Sequence, residues 1–322
     1  MRTVDRLASG SRPPSFFPTL AGMRFSHIVV TKDRPDSLLE ALRGVRAAVP
    51  TDGEIIVVDG DPERSGEKVV KQIEGPNGGA PIHYIAGVSG ICTQRNAGLD
   101  AASGDVVIFT DDDCVPANGF YDALARAYAD PRVVGVTGRV FQRLASRIGS
   151  DVHSPLRRMV LGAGRQGSMT SFGFRRPIVD LDAPRSIEFM PGTNMSARRS
   201  VALQVGFDEN LQHLGGYALC EDDDFSYRLS RRGVIEYAPA AAVHHRVVGE
   251  STRNRRALDR SVVANRTYLF RKNFRPTVGA RMGFAMFIAV LFGHRILNRE
   301  WEGVRGLLDG LRDVWRGDLP GG

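Results

Sequence analysis

Asp105-Val-Val-Ile-Phe-Thr-Asp-Asp-Asp113 is the stretch on which the reading of this chain turns. Val106 to Phe109 is a β-branched apolar run of the length of a buried strand. It stops at three successive carboxylates, Asp111, Asp112 and Asp113. In an open α/β sheet, ligands gather outside the carboxyl ends of the strands. Three adjacent acids repel one another, so a cation is a natural partner, and carboxylate oxygens suit Mg2+ or Mn2+. The plain alternative is a solvated turn with Asp113 near a helix start.

The flanking sequence repeats the pattern. Upstream, Phe25 to Val30 predicts a strand ending in the polar Thr31-Lys-Asp-Arg-Pro35, and Pro35 opens a helix carrying Leu38, Leu39, Leu42 and Val45 at helical spacing. A second strand, Glu54 to Val58, ends at Asp59-Gly-Asp61; a charged helix follows over 63–73, then a strand over Ile82 to Ala86 and a helix over 90–102. Downstream come a helix over Gly119 to Tyr128 and a single strand over Val133 to Val140. Strands alternating with helices predict a doubly wound, mostly parallel sheet with right-handed crossovers. From Phe141 the periodicity dissolves into Gly, Ser, Arg and Pro, which reads as a mobile insertion or lid. Order returns with a strand and turn over Ile187 to Ser196, helices over 198–205 and 221–232, a strand over Val234 to Tyr237, and a basic helix through Lys272.

The 43 basic and 36 acidic residues leave a net charge of +7, concentrated in runs such as Arg253-Asn-Arg-Arg256 and Arg271-Lys272. That balance favours anionic partners, a nucleoside diphosphate or an anionic membrane surface; no nucleic-acid motif is visible, so nucleic acid is not an expected partner. Cys92, Cys114 and Cys220 have no metal-site or disulfide spacing and fit a cytoplasmic chain. Residues 1–23 read as a flexible leader without an apolar signal segment. No run approaches the ~20 apolar residues of a membrane span. Met282 to Phe292 is apolar all round; core packing is the first reading, and an interfacial helix flanked by Arg281, His294 and Arg295 the second.

Polar clusters close three predicted strands: Thr31/Asp33/Arg34, Asp59/Asp61 and Asp111 to Asp113. On neighbouring parallel strands they converge in one crevice. Arg95 offers a planar fork for phosphate or for an aspartate. Glu221-Asp-Asp-Asp224 opens a helix, where acids suit the macrodipole; behind the Gly-rich His213-Leu-Gly-Gly216, one of them can also take a proton from an attacking hydroxyl. Of His244-His245, one ring is expected to face the site and the other to pack.

The ordered set Thr31-Lys-Asp-Arg-Pro35, Asp59, Arg95-Asn-Ala-Gly98, Gly104-Asp105, Asp111-Asp-Asp113, Gly192-Thr-Asn194, Glu221-Asp222 and His245 resembles the inverting family 2 glycosyltransferases with their GT-A fold, over residues 25–272. The resemblance implies a Rossmann-like, mostly parallel sheet flanked by helices over 24–272, with 141–186 as the insertion or lid, and a C-terminal helical tail over 273–322. It implies that Thr31, Asp33, Arg34 and Asp59 line the nucleotide pocket and that Arg95 stands near the diphosphate. Asp111-Asp-Asp113 looks like the family's DxD motif, with Asp112 touching ribose or metal, Asp113 the main ligand of Mn2+ or Mg2+, and His245 completing the metal site. Asp222, paired with Glu221, is the implied general base, and Gly192, Thr193 and Asn194 lie beside acceptor and donor sugar. The implied donor is a nucleotide-diphosphate sugar, a UDP-sugar first and a dTDP- or GDP-sugar next. The implied acceptor is a cell-surface glycan or lipid-linked saccharide, modified in the cytoplasm or at the inner face of the membrane. The chain departs from the pattern at Asp59-Gly-Asp-Pro62 and in an acidic run reaching Asp224, which lets the base assignment slip by one residue. It lacks the Gln-x-x-Arg-Trp signature of processive synthases, so single additions are expected. The competing classes are an inactive nucleotide-sugar-binding module of the same fold and a sugar-phosphate nucleotidyltransferase, whose Gly-rich signature near the first strand is missing.

Overall fold

The computed structural model describes residues 22–74, 79–142, 161, 164–179, 181–212, 218–246 and 254–319. Most of the expected leader, and all of the Gly-rich 213–216, lie outside them. β1 (Phe25–Thr31), β2 (Glu54–Asp59), β3 (Ile82–Ala86) and β4 (Val106–Asp111) form a parallel block. Their cores, Ile28, Val29, Ile55 to Val58 and Val106 to Ile108, are wholly buried, as expected of strands covered on both faces. The sheet continues through β9 (Met195–Arg198), β6 (Val133–Thr137), β10 (Val234–Tyr237) and β8 (Arg185–Ile187), in the order β3-β2-β1-β4-β9-β6-β10-β8. β9 and β8 run against their neighbours.

Helices α1 (Pro35–Ala48) and α4 (Phe120–Ala127) cover one face through Leu38, Leu42, Val45, Phe120 and Leu124. The other face is covered by α3 (Ile91–Ala101), α5 (Arg199–Val205) and α6 (Glu221–Ser230) through Leu99, Ala202, Phe225 and Leu229; α2 (Ser65–Ile73) flanks β3. Strand order reverses beside β1, whose neighbours are β2 and β4. That reversal opens a crevice at the strand C-termini.

The strand predicted over Val133 to Val140 is two strands. β6 ends at Thr137, and β7 (Val140–Gln142) joins a second sheet with β11 (Val243–His245) and β5 (Cys114–Pro116). The break falls at Gly138, where a Cβ would lie 2.0 Å from the Ala241 carbonyl oxygen. The sequence pattern carried no trace of that close approach.

The described part of the expected insertion is packed. Leu161, Met169, Phe172 and Phe174 form a buried cluster with Leu269 and Phe270 of α7 (Arg255–Asn273) and with Phe284 and Phe287 of α8 (Val278–Leu297). α9 (Trp301–Arg316) lies on α7, where Gly306 allows contact: a Cβ there would be 2.2 Å from the Arg256 carbonyl oxygen. The apolar run read first as core belongs to the 20-residue α8, in which only Ala280, Ile288 and Arg295 are buried. By length and composition alone, α8 is also sufficient to cross a membrane, a feature hidden in the sequence by the flanking Gly and Arg.

Candidate active site

The parallel block brings the predicted strand ends together. Thr31 stands opposite Asp59, and Val30 opposite Asp111. Gln94 of α3 fastens the ends of β1 and β2, its amide donating to the carbonyls of Thr31 (2.8 Å) and Val58 (3.0 Å). Asp59 is fully buried and accepts from the amides of Asp61 (2.8 Å) and Gly66 (3.0 Å) and from the Tyr84 hydroxyl (2.8 Å). It therefore shapes the turn into α2 and has little oxygen surface left for a ligand. Asp33 is exposed at a left-handed φ of 55°.

The acidic triplet divides three ways. Asp111, at the end of β4, meets the Arg95 guanidinium at 3.3 Å; burial raises its carboxyl above the ordinary value against the pull of Arg95. Asp112 accepts from the Thr31 hydroxyl at 2.7 Å and from Arg34 at 3.2 Å, and burial still lifts it to about 6. Asp113 lies 3.3 Å from His245 Nε2. Burial works to raise Asp113, but the His245 hydrogen bond wins and holds it below the ordinary value; the same contact raises His245. β11 pairs with β5 so that His245 sits opposite Cys114, which turns one ring toward the triplet while His244 stacks on Phe141.

The ligand-type atoms of Asp113, Cys114 and His245 lie within 4.8 Å of one another. A carboxylate oxygen and an imidazole nitrogen this close suit a divalent cation of the Mn2+ or Mg2+ type, and the half-exposed Arg34, 3.5 Å from Asp113, stands beside them. Arg95 is only 2% exposed; it also bonds Glu221 at 3.1 Å and the Gly192 carbonyl at 3.4 Å, with its plane over Phe207. It thus ties the end of β4 to the start of α6. Its Nε has no hydrogen-bond partner.

The four acids of α6 separate by burial. Asp223 and Asp224 are 1% and 0% exposed and are engaged by cations: Asp223 by Arg266 (2.7 Å), and Asp224 by Arg228 (2.6 Å), Lys272 (3.0 Å) and the Asn273 amide (2.7 Å). Glu221 and Asp222, 14% and 17% exposed, remain to face the crevice. Asp222 accepts from the Gly192 amide at 3.1 Å and from Arg175 at 3.3 Å. Burial pushes its carboxyl up, but Arg175 and Arg95 overcome that and hold it below the ordinary carboxylate value. Burial and the Asp222 charge raise Glu221. Cys220, just before, takes a left-handed φ of 69°, strain of the kind stored where a helix start must be aimed.

In the turn before β9, Gly192 uses both its amide and its carbonyl on this network. Asn194 is buried, its side chain donating to the Ala241 carbonyl at 2.9 Å, and Thr193 lies between them. Sequence reasoning missed Arg175 and the Asp223–Arg266 pair. Arg175 sits in a stretch without periodicity; for Asp223, four acids in one helical turn were the available signal that cations had to come from elsewhere in the chain.

A cavity of about 410 Å³ opens on Asp222, between the start of α6, Phe174 and Arg175, α7 and α8. An ionised carboxylate at its mouth can accept a proton. The Asp113–His245 pair, joined to it through Asp111, Arg95 and Glu221, offers a cation site.

The profile described as Glycosyl transferase family 2 matches residues 26–205. The chain is 27% identical over 211 residues to the pre-mycofactocin glycosyltransferase of Mycobacterium tuberculosis, a match spanning 65% of this chain and 39% of the relative. Among solved structures, it is similar to a mannosyltransferase from Pyrobaculum calidifontis in complex with GDP-Man and Mn2+ (TM-score 0.57, 17% identity, 90% of this chain and 86% of that one). It is also similar to GalNAc-T7 with UDP, GalNAc and Mn2+ (TM-score 0.55, 16% identity, 87% and 58%) and to Staphylococcus aureus TarS 1–349 (TM-score 0.55, 15% identity, 84% and 72%). The fold they share with this chain is GT-A, as the sequence resemblance implied.

Proposed function

Because this chain belongs to glycosyl transferase family 2, we propose that it transfers a sugar from a nucleotide-diphosphate donor to an acceptor hydroxyl with inversion at the anomeric carbon, Asp222 serving as general base. The observation that carries the reading is the chain of contacts that runs from the start of α6, where Arg175 and Arg95 keep Asp222 ionised, through Glu221, Arg95 and Asp111 to the Asp113–His245 cluster.

In this mechanism the donor nucleotide lies along the ends of β1 and β4, against Thr31, Asp33 and Asp112, with Asp59 forming the floor. A UDP-sugar is the first candidate donor and a GDP- or dTDP-sugar the next. Asp113 and His245 are the residues that would hold Mn2+ or Mg2+, which, when bound, offsets charge growing on the diphosphate leaving group. Arg34 adds positive charge on the same side. Arg95 positions Asp111 and Glu221 relative to each other. The Gly192 amide and Arg175 fix the rotamer of Asp222, so the carboxylate meets the acceptor hydroxyl already oriented. It takes the hydroxyl proton as the oxygen attacks from the face opposite the leaving group, and a single displacement inverts the centre. Thr193 and Asn194 border the transferred sugar.

General-base catalysis contributes about 10²–10⁴-fold. Asp222→Asn is therefore expected to lower kcat by at least about 10²-fold while calorimetric binding of the donor stays unchanged. Loss of donor binding together with activity would make Asp222 a structural residue and defeat the assignment.

A further inference from the structure

α8 has two apolar faces and only one of them is covered. The inner face packs Phe284, Phe287 and Ile288 against the body of the protein, and near its end the buried Arg295 grips Asp259 at 2.9 and 3.1 Å. That anchorage sets α8 along the domain. The outer face is a stripe at three- and four-residue spacing: Val278, Met282, Ala285, Met286 and Ala289 are all exposed, Met282 at 67%, and Leu297 at the end of the helix is exposed at 82%. No Asp, Glu, Lys or Arg occurs from residue 282 to 294. A 20-residue helix gives this stripe a length of about 30 Å. α9 repeats the arrangement, with Trp301, Leu308, Leu311 and Trp315 exposed at the same spacing.

Charge says what covers these faces. Residues 254–319 hold thirteen Arg and Lys against six Asp and Glu, a surplus equal to the +7 of the whole chain. Most of that surplus sits on α7, while Arg275, Arg281 and Arg299 are exposed before, within and after α8. An uncharged stripe with cations exposed at its ends, beside the exposed Trp301 and Trp315 of α9, matches the interface of an anionic bilayer. The inner face of the same helix supplies Phe287, Val290 and Leu291 to the cavity that Glu221 and Asp222 also line, with Asp259, Arg266, His294 and Arg295 among its other walls.

We propose that α8 seats on an anionic lipid surface and that the acceptor is an amphiphile drawn from it. Its hydroxyl-bearing head lies at Asp222 and its apolar portion lies against Phe287, Val290 and Leu291. The acceptor half of this proposal rests on Asp222 being the base; the docking half does not.

The test is flotation of the full chain with vesicles of phosphatidylcholine alone and of phosphatidylcholine mixed with phosphatidylglycerol. Flotation is expected with the mixed vesicles and much less with the neutral ones. Met282→Asp/Met286→Asp is expected to cut the bound fraction about tenfold or more, with donor binding, measured by calorimetry in the presence of Mn2+, left as in the unmodified chain. A chain that stays behind with anionic vesicles, or a double variant that floats as the unmodified chain does, would overturn the docking. Saturation-transfer NMR with octyl glucoside and glucose tests the cavity. Signal on the octyl chain that Leu291→Glu removes supports an amphiphilic acceptor, and equal responses to the two sugars contradict it. A chain that floats but binds no nucleotide sugar would contradict the proposed function instead.

Discussion

In the proposed mechanism, Asp222 depends on the residues that hold it. Buried among carboxylates, it would ordinarily be pushed toward protonation; Arg175 at 3.3 Å, with Arg95 behind, reverses that. A base whose value is depressed is competent above that value and is lost as the pH falls through it. Removing Arg175 takes away the strongest of the opposing influences, so Asp222 must rise. The acid limb of kcat/KM is therefore expected to move to higher pH in Arg175→Met, with activity at alkaline pH largely kept and Arg175→Lys restoring the limb. A pH–rate profile checks this, and an acid limb that stays in place would show Arg175 to be only a packing residue. The sequence identified the Glu221–Asp224 cluster and the Asp111–Asp113 triplet because runs of acids are visible in one dimension. It could not divide them: Arg228 lies one turn beyond Asp224, but Arg266 and Lys272, which complete the engagement of Asp223 and Asp224, are more than 40 residues away in the chain.

At the scale of elements, what was legible was what periodicity encodes. The strands over 82–86 and 234–237 and the helix from Pro35 were read from alternation and spacing, and the structure has them there. The junction between β6 and β7 was not, because Gly138 is required by a contact with the Ala241 carbonyl rather than by any local pattern. That junction sends β7 to β11, the strand that presents His245 to Asp113. Gly138→Ala would force backbone against backbone, an overpacking expected to cost about 1–3 kcal/mol or more. A lower urea midpoint with an unchanged m-value is the expected result, and an unaltered midpoint would show that the turn relaxes freely.

For the whole molecule, the sheet sets three strand ends side by side, and Phe174 and Arg175 of the insertion, α6 and α8 line the cavity at Asp222. The tail was the least legible part. Its Met282–Phe292 run could be read as apolar, but which face of the tail helices stays uncovered depends on how α7 takes up the inner side of each. The account stands or falls on the claim that Asp113 and His245 hold a divalent cation on the side of the crevice that faces Asp222. Anomalous diffraction from crystals grown with Mn2+ and UDP tests it most directly. The account predicts one manganese peak bonded to the Asp113 carboxylate and His245 Nε2, touching the diphosphate. Manganese bound elsewhere, with Asp113 and His245 still hydrogen-bonded to each other, would contradict it.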